Sequence, residues 1–287
     1  MTMKRNGTIF CAVLLVALAA CSSSKKDDRA LSGGPSPTPS SASGTVAPGS
    51  SPGATRAPST VPSTGGNSSG GGGTTTKPPA GSKAFVARPA GTYTFTTSGQ
   101  TQITGAIKRT DQLPSKTSLS ISGPSDGVQR SVRDMRDSKG NGSVTEMRVR
   151  IASDGVHLTY LKNTSTFGGI TDERQFTPNP APLILRTGAP NGDRLTFTLE
   201  GSDVRVETTV DVLRRESITI GGKAVQSIVI RIASRFSGDV NGTSTATNWL
   251  RPSDSLLLRE ESQSDVTAGF TRVRTNYNAK LDSLTPA

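Results

Sequence analysis

From about residue 91 to the C-terminus, apolar and polar residues alternate with a period of two, the pattern of half-buried strands. TYTFTTSG places Tyr93, Phe95 and Thr97 on one face. EMRVRIAS places Met147, Val149 and Ile151 on one face and Glu146, Arg148 and Arg150 on the other. RLTFTLEG offers Leu195, Phe197 and Leu199, and DVRVETTVDV offers Val204, Val206, Thr208, Val210 and Val212. SIVIRIAS offers Ile228, Ile230 and Ile232. Turn signals punctuate these runs at Ser125-Asp126-Gly127, Ser153-Asp154-Gly155, Asn191-Gly192-Asp193 and Gly221-Gly222-Lys223. No long stretch keeps a 3.6-residue period, and the single short helix expected lies near Thr171–Gln175. The pattern predicts an all-β, mainly antiparallel fold with few helices.

The pattern also repeats. NGSVTEMRVRIASDGVHL begins at Asn141 and NGTSTATNWLRPSDSLLL at Asn241; Asn, Gly, Thr, Ser, Asp and Leu recur at 141/241, 142/242, 145/245, 153/253, 154/254 and 158/258. Thr94-Phe95-Thr96-x-x-Gly99 matches Thr196-Phe197-Thr198-x-x-Gly201. Two halves, about 91–186 and 192–287, are therefore expected within one β-rich domain spanning 84–287, with Pro178–Asp193 as their connector. Such halves suit one curved sheet or a pair of half-barrels. With 4% aromatic residues, the core must rest on Val, Ile and Leu.

The N-terminal part reads differently. Lys4 and Arg5 precede an uncharged, apolar run over Ile9–Ala20, too short for a membrane span of roughly 20 residues and suited to an export signal at 1–20. Leu18-Ala19-Ala20-Cys21 resembles the lipobox of bacterial lipoproteins. That resemblance implies lipidation of Cys21, with palmitate-type chains, and a mature chain beginning there; the alternative is a free Cys ending a plain signal. Cys11 lies inside the apolar run, so no disulfide or thiolate metal site is expected. Residues 21–83 are dominated by Ser, Thr, Gly, Pro and Ala. They lack the apolar residues to offset ordering entropy, so a disordered stalk is expected, with an r.m.s. span of roughly 45 Å. The expected location is the outside of the cell membrane, lipid-anchored: the outer leaflet of the cytoplasmic membrane if the cell is Gram-positive. The Thr/Pro/Gly stalk and the Arg-over-Lys bias have an actinobacterial character. In a Gram-negative cell, Ser22 rather than Asp after the cysteine would favour the outer membrane.

The second half, ITIGGKAVQSIVIRIASRFSGDVNGTSTATNWLRPSDSLLLREES, resembles exported β-rich proteins of the LolA/LolB and mycobacterial LprG/LppX kind. The resemblance implies a curved antiparallel sheet that holds lipid acyl chains. Those families lay helices across the open face, for which this sequence offers no good candidates.

Candidate chemistry is sparse. His157 is the sole histidine and reads as a strand residue; Val156, Leu158 and Tyr160 are expected on one face and His157, Thr159 and Leu161 on the other. No phosphate-cradling glycine loop or calcium loop is present. Asp172-Glu173 reads as a solvated loop. Glu260 and Glu261 must point to opposite faces. The chain carries +11 overall, but from residue 84 on there are 25 Lys+Arg against 20 Asp+Glu, a net of +5. The local concentrations at Arg130, Arg133 and Arg136, and at Arg272 and Arg274, read as solvated strand faces. Trp249 suits a core or groove-lining place. Neither catalytic residues, a metal site, cofactors nor a nucleic-acid partner is expected. The leading expectation is a membrane-anchored, non-enzymatic protein that binds or carries a lipidic ligand through ligand-binding residues the sequence does not identify. The alternative is a structural or interaction module for an envelope protein or anionic polymer.

Overall fold

The computed structural model describes residues 83–105, 108–167 and 170–287; Cys21 and the stalk lie outside them. The described chain is all-β. It forms fourteen strands: β1 (Gly91–Thr104), β2 (Arg109–Gln112), β3 (Lys116–Ile121), β4 (Val128–Asp134), β5 (Gly142–Ala152), β6 (Gly155–Phe167), β7 (Ile170–Phe176), β8 (Leu183–Arg186), β9 (Arg194–Glu200), β10 (Val204–Ile220), β11 (Lys223–Gly238), β12 (Val240–Leu250), β13 (Leu257–Ala268) and β14 (Thr271–Leu281). All belong to one antiparallel sheet, nearly closed into a barrel, in the order β7-β6-β5-β4-β3-β1-β14-β13-β12-β11-β10-β9. The halves thus form one continuous sheet.

Each half contributes a six-strand meander, β1-β3-β4-β5-β6-β7 and β9 to β14, with β2 and β8 added beside β1 and β6. The segments beginning at Asn141 and Asn241 occupy the fourth and fifth strands of their meanders, and the Ser-Asp pairs fall in the turns between them. The first strand of one half pairs with the last strand of the other, from Phe95↔Leu281 to Thr104↔Arg272. The equivalent junction, β7 against β9, has no ladder. It is closed by side chains and a strap. Phe176 is buried against Gly201, where a Cβ would lie 3.1 Å from its ring. Arg174 on β7 pairs with Asp203 beyond β9 at 2.7 Å. The β8–β9 connector is bonded to β10 through Gly192 N–H to Val212 O (2.7 Å) and Val212 N–H to Asp193 O (2.8 Å).

The period-two pattern sets the inner face. Tyr93, Phe95, Leu199, Val204, Val206, Val210, Ile228, Ile230, Val266 and Tyr277 are buried there. Two hairpins use turns with paired positive φ, at Asp126-Gly127 (50° and 72°) and Gly221-Gly222 (55° and 77°), the geometry that matches strand twist.

Three sequence expectations need correction. Thr171–Gln175 is not a helix: it lies within β7, paired residue by residue with β6, where the Thr166 and Thr171 hydroxyls meet at 3.2 Å and Lys162 reaches Glu173 at 2.7 Å. Cross-strand pairing outweighs a weak helical preference, and Asp172-Glu173 is strand rather than loop. In β6 a bulge at Thr159 breaks the alternation, so that Leu161 is buried with Val156 and Leu158 while Tyr160 turns outward under Arg148, 4.5 Å from its ring centre. The connector between halves also contains β8, which pairs with the start of β6.

Leu258 is wholly buried, whereas Phe270, at the β13–β14 turn, is 91% exposed. Leu258→Ala should cost about 2–5 kcal/mol and lower the thermal midpoint by on the order of 10 °C. Phe270→Ala should stay within about 0.5 kcal/mol of the parent. Similar losses for both in thermal melts would contradict this inside-outside assignment.

Candidate functional site

The inner faces of the two halves do not meet everywhere. Between them lies a cavity of about 220 Å³, more than ten times the ~10–15 Å³ that one water needs. β3 to β6 and β8 line it from one side and β9 to β13 from the other. Its walls are mostly apolar, typified by Leu158, Leu161, Leu185, Val210, Ile230 and Leu257. Along β12 and its neighbours it runs from the level of Leu250 to that of Thr208, which aligns with Ser244. Six residues separate those levels, or about 20 Å at ~3.3 Å per residue. A space that long with so little volume is narrow.

Charge enters this lining at three residues: Arg88, Arg133 and Glu260. Arg133 on β4 reaches across the interior to Glu260 on β13, four strands away around the sheet. It also donates to the Tyr277 hydroxyl at 2.5 Å and lies over the Phe95 and Tyr277 rings, 5.4 and 5.2 Å from their centres. Burial works against its charge, but Glu260 and Tyr277 more than offset it, so the guanidinium is held above its ordinary value. Burial likewise pushes the Tyr277 hydroxyl up. The expectation that Arg133 belongs to a solvated face is therefore corrected. The sequence held a signal: Arg133 lies three positions after Arg130, an odd offset, so a strand sends them to opposite faces. Glu260 and Glu261 do point to opposite faces: Glu260 is buried, and Glu261 pairs with Arg259 outside.

Arg88 precedes β1, on a segment the sequence reading passed over. It is 7% exposed. Burial pulls its guanidinium below the ordinary value, opposed by the nearby Asp254 and Tyr93. Four polar atoms of the lining are buried without a hydrogen-bond partner among the described residues: Arg88 Nε, Arg133 Nε, Asn248 Oδ1 and Ser255 Oγ. Buried polar atoms are rarely left so, and here four share one cavity.

The remaining sequence candidates lie elsewhere. His157 is on β6, its ring bonded to Asp154 at 2.9 Å and to the Ala181 carbonyl at 3.3 Å. Among the described residues no group of three or more His, Cys, Asp or Glu is placed to hold a metal. Trp249 is buried, but on the face opposite Asn248, with its indole N–H donating to Glu216 and Arg259 stacked 4.5 Å from its centre. The outer-face arginines meet carboxylates: Arg130 pairs with Glu146, Arg136 with Asp134, and Arg272 and Arg274 share Asp265. No protein-family model, curated protein or solved structure matches the chain.

Two predictions follow from these charges. Arg133→Met strands a buried carboxylate, so it should destabilise by about 3–5 kcal/mol, whereas Arg133→Met combined with Glu260→Leu should recover much of that loss. Urea unfolding checks it; simple additivity of the two substitutions would refute the pairing. Hydrogen bonds from Arg130 and Arg148, the Arg130 bond the larger, outweigh desolvation and lower the Glu146 carboxyl from an ordinary 4.5 to about 2. A carboxyl lowered on folding contributes stability that is complete above its unfolded value and lost as pH falls through the folded one. Glu146→Gln should therefore flatten the decline in melting temperature between about pH 4.5 and 2, and an unchanged slope would count against it.

Proposed function

We propose that this chain is a membrane-anchored envelope lipoprotein, tethered through Cys21, whose β domain binds or carries a lipidic ligand without catalysing a reaction. The narrow apolar cavity lined from both halves carries the reading. Mostly apolar cavities of this kind take apolar guests. The LolA/LolB and LprG/LppX resemblance points the same way, since those families hold acyl chains within a curved sheet. Here the sheet would cover its own face, in the role their helices play.

The alternative, a module that docks an envelope protein or anionic polymer, has less support. Among the described residues the exposed large hydrophobics are Val86 and Phe270, far short of an apolar docking patch. The outer-face arginines at 130, 136, 272 and 274 already engage Glu146, Asp134 and Asp265, so a polyanion would have to compete for them.

The test uses the full chain carrying Cys21→Ala, so that any lipid found is bound rather than attached. Produced in a bacterial cell and examined by native mass spectrometry with solvent extraction, it should carry a stoichiometric amphiphile. The cavity-filling Val210→Trp should lose that lipid while keeping a cooperative melt. A parent with no bound lipid and no uptake from added lipid would sink the reading.

A further inference from the structure

The cavity lining holds two arginines and one glutamate, hence one uncompensated positive charge. Arg133 is answered by Glu260 and Tyr277. Arg88 is not: its guanidinium forms no ion pair or hydrogen bond with the described residues, and its Nε is buried without a partner. The acid acting on it is Asp254, which is already committed. Arg251 Nε lies 2.9 and 3.1 Å from the two Asp254 oxygens, Arg251 Nη2 reaches Oδ2 at 2.5 Å, and the Leu256 N–H donates to Oδ1 at 3.1 Å. Arg251 and Asp254 cancel, and the charge on Arg88 stays unanswered inside an apolar chamber.

The surroundings hold Arg88 firmly in place. Gln129, 1% exposed, grips its backbone at both ends: the Arg88 N–H donates to Oε1 at 3.0 Å, and Nε2 donates to the Arg88 carbonyl at 2.8 Å. The Tyr93 hydroxyl donates to the Pro89 carbonyl at 3.0 Å, and the Val86 N–H donates to the Ser253 carbonyl at 2.9 Å. This last bond binds the Arg88 segment to the turn that carries Ser255. Ser255 has φ 57°, is 8% exposed, and keeps its Oγ buried and unpartnered in the same lining. A non-glycine residue held left-handed beside an orphaned polar group is the kind of strain that collects at ligand sites.

Resting on the lipid-binding reading, we propose that the cavity selects single-chain amphiphiles with an anionic oxygen head, a carboxylate or a phosphate monoester, and that Arg88 and Ser255 receive that head. A guanidinium offers a planar, two-point match to either oxyanion, and the Ser255 hydroxyl can donate a further bond. The chain lies along the apolar channel toward Thr208. Gln129 is a positioning residue that fixes the Arg88 backbone.

The test is titration calorimetry on the full chain carrying Cys21→Ala, stripped of lipid, with four probes: tetradecanoate, tetradecyl phosphate, tetradecanol and inorganic phosphate. Both anionic amphiphiles should bind at least tenfold more tightly than tetradecanol, and inorganic phosphate alone should not compete. A preference for one anion over the other identifies which head the site fits. Arg88→Met should erase most of the anionic preference, bringing both anions close to tetradecanol, and Ser255→Ala should weaken the anions by a smaller factor. Equal binding of charged and neutral amphiphiles by the parent, a comparison that needs no variant, would overturn the head assignment and leave lipid binding intact. Competition by inorganic phosphate would overturn the amphiphile and leave an oxyanion site. Failure of all three amphiphiles to bind would remove the lipid reading, and this inference with it.

Discussion

A sheet with one apolar face must put that face against something. Here no helix among the described residues is available to cover it. Complete burial of a Val, Leu or Phe contributes about 1.5–3 kcal/mol, and the inner face carries dozens of such atoms' worth in Phe95, Leu199, Val206, Phe236, Val266 and their neighbours. Leaving it open would forfeit far more than the 5–15 kcal/mol by which domains are stable. The sheet therefore curls until its own two halves face each other. Pairing of β1 with β14 removes what would be two exposed edges. The equivalent edges, β7 and β9, are managed by Phe176, Arg174 and the strap from β8 instead of a ladder.

Closure brings together groups that are remote along the sheet, and the Arg133–Glu260 pair is the clearest case. Buried ion pairs add little over apolar residues of the same shape. Their requirement is geometric: β4 and β13 must stand at one separation across the interior for the bond to form. Apolar side chains tolerate a range of separations, a charge pair with Tyr277 as a third partner far less. The pair thus ties β4 to β13 across the interior, alongside the β1–β14 ladder that joins the halves.

Much of the fold was legible in the sequence because alternation is read directly by a pleated sheet. Val204 to Val212 and Ile228 to Ile232 lie where their period placed them, and the Asp126-Gly127 and Gly221-Gly222 turns lie where their dipeptides placed them. What failed did so where a single residue changed the count. One extra residue at Thr159 sends Leu161 in and Tyr160 out, and no local pattern announces a bulge. Thr171–Gln175 carries polar residues that suit a helix or an edge strand equally, and its partner across β6 decides. The site was the least visible part. Arg88 lies before the first periodic strand in a stretch with no motif, and its burial depends on Gln129, 41 residues on, and the Ser253–Ser255 turn, near the far end of the domain. Cys21 remains a matter of sequence.

The interior differs from the surface in how it treats arginine. Outside, many arginines have a carboxylate within a few residues or one strand: Arg136 has Asp134, Arg205 has Glu200, Arg231 has Asp211. Inside, Glu260 answers Arg133, and Asp254, the acid whose charge bears on Arg88, is spent on Arg251. An apolar space penalises an unpaired charge most, and Arg88 is where this chamber carries one. Under the proposed assignment an amphiphile with an anionic head would set its charge against Arg88 and its chain against Leu158, Val210 and Ile230, so that one molecule would meet both the polar and the apolar part of the lining.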